Sequence, residues 1–351
     1  MKKIKALVIG SFSLGQGVFN GQTAKTRDYH QVLCEVFGED SITLLDTFGW
    51  KKNPLKLVKD IVCSCAQSEN VVLMLGINGS KMIVPLVTFL KSFYHYNILF
   101  PMVGGSVMYE FENHKLLQKC FKKIDAIYFE TQMMVKHFQE LGFDNIGYAP
   151  VFTKRNCTKP VDIEKAITKP LKLCTYARVC KEKGISIAID AVKKVNDHFG
   201  EVVCTLDIFG VPYPEYEEEF NQKLSECEGF VFSNPYLQGD FVIDTLSEFA
   251  LMIFPTYYEG EGFPIAVVEC MLGGVPTIAS NWHFNSEIVL DGKTGVVFEP
   301  NNAEVLSQVL ISLVETPDRI RTMKHECLER AKNFTPKLVM KDIIDRISAG
   351  E

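Results

Sequence analysis

Phe254-Pro-Thr-Tyr-Tyr-Glu259-Gly-Glu261-Gly-Phe-Pro264-Ile-Ala-Val-Val-Glu269-Cys-Met-Leu-Gly-Gly-Val-Pro-Thr277-Ile-Ala279 is the stretch on which the fold is decided. The apolar run Leu251–Phe254 reads as a strand, and a polar loop holding Glu259 and Glu261 follows it. Pro264 suits the first position of a helix, where a missing N–H costs nothing. The helix would run Ile265–Leu272, and Thr277–Ala279 would be the next strand. Strand, loop, helix and strand in that order make a parallel βαβ unit.

The same rhythm extends in both directions. Before this stretch and after a polar interval, strands are expected at Leu171–Tyr176, Cys204–Phe209 and Phe230–Ser233, with another beyond it at Gly295–Phe298. Helices Ile185–His198, Tyr216–Ser225, Ile243–Glu248, Ala303–Val314 and Arg319–Lys332 fill the gaps or follow. An earlier set of strands, Ile4–Ile9, Ser41–Leu45, Val71–Leu75, Ile98–Val103 and Ala126–Phe129, alternates with helices Thr23–Phe37, Leu55–Gln67, Lys81–Tyr94, Lys115–Lys123 and Gln132–Leu141. The expected organisation is therefore α/β with two doubly wound, Rossmann-like domains, residues 1–153 and 171–334. Residues 154–170 read as a polar linker, and 335–351 as a closing helix that packs back toward the first domain.

Composition agrees with two domains: 351 residues, 47% of them hydrophobic, exceed what one core usually accommodates. A net charge of −6 argues against nucleic acid as a partner, since such proteins carry a basic excess. The 11 cysteines include no C-x-x-C pair, which suits small buried side chains in a reducing compartment. The apolar run within Met1–Gly10 is too short for a signal h-region, and no stretch approaches the ~20 apolar residues of a membrane span. The expected location is the cytoplasm.

Glu269 lies in the middle of the apolar helix, where a carboxylate is expensive to bury without a hydrogen-bonding partner. Either it forms a structural ion pair, or its two oxygens accept the two hydroxyls of a ribose. Glu261, on the loop beside the helix start, favours the second reading, and the amides of that helix start would face an anion. A second constellation, Thr175-Tyr-Ala-Arg178-Val-Cys-Lys-Glu-Lys183-Gly184, follows the first strand of the second domain. There a guanidinium fork and a point-charge ammonium suit a diphosphate.

The spacing Glu261-x7-Glu269 resembles glycosyltransferase family 4, and Ala177-Arg178-x4-Lys183-Gly184 resembles that family's Gly-Arg-x4-Lys-Gly element, with Ala177 in place of its first glycine. The family more often has glycine where this chain has Pro264. The resemblance spans Ile4 to about Phe334 and implies a GT-B architecture, its two domains facing across a cleft. It implies a retaining, hexosyltransferase-type enzyme that moves a sugar from a nucleotide-diphosphate sugar to a hydroxyl acceptor. The first domain would take the acceptor and the second the nucleotide sugar. Arg178, Lys183 and Glu261 are then the catalytic candidates, with Glu269 on the ribose and Gly262, Phe263 and Pro264 near the donor's diphosphate or sugar.

The loop Gly10-Ser-Phe-Ser-Leu-Gly-Gln-Gly17-Val-Phe-Asn20-Gly21-Gln-Thr-Ala-Lys25 lacks the register of a dinucleotide fingerprint. Its Asn-Gly-Gln-Thr-x-Lys-Thr wording resembles a bacterial surface-polysaccharide subgroup of the family, which makes Gly17, Asn20 and Gly21 further donor-side candidates and Asn20 to Lys25 a lining of the cleft. Many relatives carry a histidine just before Gly104, where this chain has Val103. Gly104, Gly105 and Glu130 stand as substitutes on the acceptor side, although Glu130 reads equally as a surface or capping residue. Two alternatives stay open: a nucleotide-sugar epimerase or hydrolase, which needs an acid or base at the anomeric carbon, and, because of the departure at Val103, a non-catalytic, nucleotide-sugar-binding partner subunit.

No Asp-x-Asp pair occurs and no two histidines have ligand spacing, so neither a metal nor a cofactor is expected beyond the donor. The acceptor class would be a carbohydrate or a lipid-linked glycan. The basic segment Trp50–Val62 is either a solvated helix face or a peripheral contact with the inner face of the membrane.

Overall fold

The computed structural model describes residues 4–15, 21–164 and 166–349. Its chain separates into two compact units.

Unit 1 comprises Met1–Lys154, Gly260–Phe263 and Thr335–Glu351. Its elements are β1 (Ile4–Gly10), α1 (Gly21–Phe37), β2 (Ile42–Asp46), α2 (Pro54–Cys65), β3 (Ser68–Met74), α3 (Ile77–Tyr94), β4 (Asn97–Pro101), α4 (Val107–Glu110), α5 (Lys115–Phe121), β5 (Ala126–Phe129), α6 (Gln132–Glu140) and β6 (Ile146–Tyr148). Six parallel strands pair in the order β2-β1-β3-β4-β5-β6. Both faces of the central strands are covered, so Ala6–Ile9 and Val71–Met74 are buried without alternation and read as continuous apolar runs.

Unit 2 comprises Arg155–Glu259 and Pro264–Phe334. It contains β7 (Leu171–Tyr176), α7 (Ile185–Phe199), β8 (Cys204–Phe209), α8 (Glu217–Ser225), β9 (Val231–Asn234), α9 (Val242–Ser247), β10 (Leu251–Phe254), α10 (Ile265–Leu272), β11 (Thr277–Ser280), α11 (Asn285–Ile288), β12 (Gly295–Phe298), α12 (Ala303–Glu315) and α13 (Pro317–Ala331). Its sheet, also parallel, runs β12-β11-β10-β7-β8-β9. This is the strand order of a dinucleotide-type doubly wound sheet, and it reverses between β7 and β10. Leu173, Ile208, Ile253 and Ile278 from the strands meet Ile189 of α7 and Leu310 of α12 in one core.

β6, α4 and α11 were not among the expected elements, and three further segments depart from the sequence reading. The closing helix is two short ones, α14 (Pro336–Val339) and α15 (Lys341–Ser348), joined at Met340. They pack within unit 1, where Met340, Ile343 and Ile347 join Val8, Tyr29 and Met74 in a buried cluster. The polar stretch 155–170 belongs to unit 2 rather than lying between domains. It is held there because the Thr158 amide donates to Asp244 (2.9 Å) and Val161 packs beside Gly274. Pro264 sits one residue before α10, at its cap, and not inside it.

Candidate functional site

In an open parallel sheet, ligands gather at the carboxyl ends of the strands where the order reverses, which in unit 2 means the loops after β7 and β10. These two loops are stitched together. The Tyr257 amide donates to the Glu182 carbonyl (2.8 Å), and the Thr256 hydroxyl reaches the same oxygen (3.4 Å). Gly184, at φ 69° and opening α7, lies so close that a Cβ there would stand 2.2 Å from the Pro255 carbonyl oxygen. Only glycine satisfies both the left-handed backbone and the contact.

This stitching brings the two sequence-chosen cations onto one aromatic ring. The Arg178 guanidinium lies 4.9 Å and the Lys183 ammonium 5.3 Å from the centre of Tyr258. Arg178 also donates to the Tyr213 hydroxyl (2.9 Å), and Lys183, only 8% exposed, stands 5.5 Å from the Phe254 ring. Tyrosine faces attract cations and hold them without neutralising them, as a carboxylate would. The same edge carries the start of α10, which no side chain caps. Uncapped first-turn amides and a positive dipole end favour an anion.

Glu269, in the middle of α10, is fully buried, and Arg155 donates to its Oε1 at 2.6 Å. Burial pulls the Arg155 guanidinium toward losing its proton, but the Glu269 carboxylate outweighs this and raises its pKa above the ordinary value. Beside the pair, the Tyr176 hydroxyl approaches that of Tyr236 (3.3 Å), and their rings are 5.4 Å apart. Burial, then the nearby Glu269 charge, pushes the Tyr176 phenol well above its usual range, so it stays neutral. Glu259 is exposed and 3.5 Å from His283.

Unit 1 assembles the remaining candidates around Glu130. This residue is 3% exposed and is neither a surface nor a capping group: the α6 cap is Thr131, whose hydroxyl accepts from the Met134 amide. Lys25 of α1, also buried, donates to Glu130 Oε1 (2.8 Å) and to the Met102 carbonyl (2.9 Å). The other carboxylate oxygen accepts from the Phe263 amide (3.3 Å) and, more loosely, from the Gly104 amide (3.4 Å). Gly262 passes so close that an added Cβ would sit 2.8 Å from Glu130 Oε2 and 3.0 Å from Gly104 Cα.

Gly104, Gly105, Glu130, Gly262 and Phe263 thus meet in one place, and the Phe263 amide, expected to face the donor, is turned onto a protein carboxylate. Glu261, immediately before Gly262, is buried. Val103 packs on the core of unit 1. Gly21 is the exposed first residue of α1, and Gly17 and Asn20 lie outside the described residues.

Arg155, Tyr176, Tyr213 and Tyr258 were not chosen from sequence. Arg155 sat in what read as linker and gave no signal. Lys25 did give one: it occupies the inward stripe of α1 with Tyr29, Val32 and Leu33, at spacings of four and seven to eight. Among the described residues no three His, Cys, Asp or Glu side chains gather as a metal site, and no helix is long and apolar enough to cross a membrane.

Comparison with known proteins places these features. The family described as glycosyl transferases group 1 matches residues 160–334. The poly(glycerol-phosphate) alpha-glucosyltransferase of Bacillus subtilis is 24% identical over 238 residues, covering 66% of this chain and 34% of that protein. The putative colanic acid biosynthesis glycosyltransferase WcaL of Escherichia coli is 23% identical over 246 residues, 66% of this chain and 58% of its own length. The chain therefore spans between a third and three fifths of these two relatives.

Among solved structures, Anabaena Alr3699/HepE in complex with UDP superposes with a TM-score of 0.76 at 14% identity, covering 99% of this chain and 100% of that one. A glycosyltransferase from Rickettsia africae gives 0.72 at 15% identity, with 100% and 99% covered. The fold is thus of the GT-B class, with two Rossmann-like units. Residues 160–334 match the glycosyl transferases group 1 family, and the relatives of the chain are glycosyltransferases, among them enzymes of bacterial polysaccharide synthesis.

Proposed function

We propose that this chain is a retaining glycosyltransferase that moves a hexose from a nucleotide-diphosphate sugar to a hydroxyl of a growing polysaccharide or glycolipid. The observation that carries this reading is the convergence of Arg178 and Lys183 on Tyr258 at the strand-order reversal of unit 2. Two cations and the uncapped start of α10 meet the requirement of a leaving diphosphate, whose negative charge grows as the glycosidic bond breaks. Charges fixed in advance at that place stabilise the transition state without reorganisation.

On this reading Glu269, held in orientation by Arg155, accepts from the ribose hydroxyls, and the half-buried Tyr236 ring offers an apolar face on the nucleoside side. UDP is the first nucleotide to try, because the similar HepE structure contains it. Glu261 contacts the donor sugar. Retention follows a front-face course in which the departing phosphate oxygen takes the acceptor proton, so that no histidine is needed at Val103. The reaction runs without a metal ion.

The test is a thermal-shift screen of UDP, GDP, ADP, CMP and NAD, followed by turnover of the matching nucleotide sugar with and without EDTA. A ligand at 100 times its Kd adds ~2.7 kcal/mol of stability. Stabilisation by one nucleoside diphosphate, abolished by Glu269→Ala, supports the site. Stabilisation without transfer to any acceptor turns the reading toward a nucleotide-sugar-binding partner subunit, and a response to NAD alone overturns it.

A further inference from the structure

We propose that the outer surface of α2, α3 and α5 in unit 1 is a docking face for an anionic lipid bilayer. The right-handed rule for parallel crossovers puts the β2–β3, β3–β4 and β4–β5 connections on one side of the sheet, and α3 packs between α2 and α5 there. Each helix turns apolar side chains inward, as it must: Leu57 and Ile61 on α2, Val84 and Val87 on α3, Leu117 on α5. Taken alone, α2 is then an ordinary surface helix. What needs explaining is the second apolar set on the outside.

Leu55 is 82% exposed on α2, Phe89 and Phe93 are each 61% exposed on α3, and Leu116 is 62% exposed on α5. Phe89 and Phe93 stand one turn apart with ring centres at 5.2 Å, forming a single aromatic ridge. Lys91 reaches the Asp125 carboxylate (2.6 Å) and the Lys123 carbonyl (3.3 Å), which places the end of α3, with that ridge, beside the lysines that close α5. Single exposed apolar residues mean nothing, but the paired rings of Phe89 and Phe93 form a ridge near the end of α3, and Leu55 and Leu116 lie in the first turns of the two helices that flank it.

Charge selects the occupant. Residues 51–125 contain ten lysines against five carboxylates, an excess of +5 within a chain of net charge −6. Lys56 and Lys59 on α2, Lys115 and Lys119 on α5, and Lys122 just beyond it are exposed among the apolar side chains. Large apolar groups ringed by lysine suit the boundary between acyl chains and anionic headgroups, where the stems stay apolar and the ammonium groups reach phosphate. The inference is independent of the glycosyltransferase reading.

Flotation of the purified full chain with vesicles tests it. The protein should rise with phosphatidylglycerol/phosphatidylethanolamine vesicles and stay behind with phosphatidylcholine. Raising the salt from about 0.1 M to about 1 M, which shortens the Debye length from ~10 Å to ~3 Å, should release most of it. Each lysine near an anionic surface contributes about five-fold in partition, so Lys119→Gln with Lys122→Gln should lower binding roughly 25-fold. Phe89→Ser with Phe93→Ser, both exposed and therefore compatible with folding, should lower it at least as much at unchanged melting temperature. Equal flotation with both lipids, no flotation, or Phe variants that bind as wild type would overturn the proposal. So would a dimer in solution that the Phe variants dissociate in the absence of any lipid binding.

Discussion

Arg155 donates to Glu269 across 2.6 Å, joining the segment that follows unit 1 in sequence to the centre of a fully buried, apolar helix. Removing one partner of a buried pair strands the other, so Arg155→Ala should cost about 3 kcal/mol in urea unfolding. Glu269→Gln, which keeps an acceptor and removes the charge, should cost less. A loss for Arg155→Ala within about 0.5 kcal/mol, the scale of an indifferent surface change, would show that the arginine does not hold the carboxylate.

Lys25 and Glu130 form the second buried pair, with side chains 2% and 4% exposed. Lys25→Met leaves Glu130, among the described residues, with the amide donors of Gly104 and Phe263 and should destabilise by about 3–5 kcal/mol. Lys25→Met with Glu130→Leu removes both charges and should recover a large part of that loss. The coupling in the double-mutant cycle should exceed about 1 kcal/mol, and additive losses would mean that the two side chains do not act together.

Gly184 ties the loop after β7 to the loop after β10. Alanine there is strained by φ 69° and meets the Pro255 carbonyl at 2.2 Å, so the β7–α7 and β10–α10 loops must part. Gly184→Ala should lose upwards of about 2 kcal/mol and, on the proposed function, also the nucleotide-induced thermal shift. A variant that melts lower but keeps the full shift would show that nucleotide binding does not need the stitching.

The sequence made the α/β rhythm legible because strands buried on both faces are continuous apolar runs, as in Ala6–Ile9, and need no partner to be recognised. β6 escaped notice because Ile146-Gly-Tyr148 is three residues with glycine at its centre and no apolar run. Arg178 and Lys183 were legible as cations after a strand, but the ring that gathers them was not, since Tyr258 comes from another loop. Arg155 was out of reach: its partner is 114 residues away, and only tertiary packing brings them together.

The cysteines give an inexpensive check on the packing. Cys63 is exposed, Cys34 and Cys157 are partly covered, and the other eight are buried. Burial pushes the Cys65 thiol up to about 11 and those of Cys204 and Cys327 to about 12, which removes the reactive thiolate. A thiol reagent on the native chain should label Cys63 first and no more than three cysteines readily, against all 11 after denaturation. Fast labelling of Cys204 or Cys327 would mean that the unit 2 core opens.

The return of the tail to unit 1 should leave a mark in acid. The Tyr128 hydroxyl donates to Asp342 at 2.5 Å, and Arg346 reaches the same oxygen at 2.8 Å. Burial works upward on Asp342, but the Tyr128 hydrogen bond and then Arg346 outweigh it and hold the carboxyl below its ordinary value. A carboxylate with a depressed folded pKa contributes stability that is present above the unfolded value, near 3.9, and is lost as pH falls through the folded one. Its pair faces solvent on one side, so the effect is at most about 1 kcal/mol. Wild type should therefore lose stability faster than Asp342→Asn as the pH is lowered from about 5 toward 3, with Tyr128→Phe between them. Parallel curves for the three proteins would show that this contact contributes nothing to docking α15.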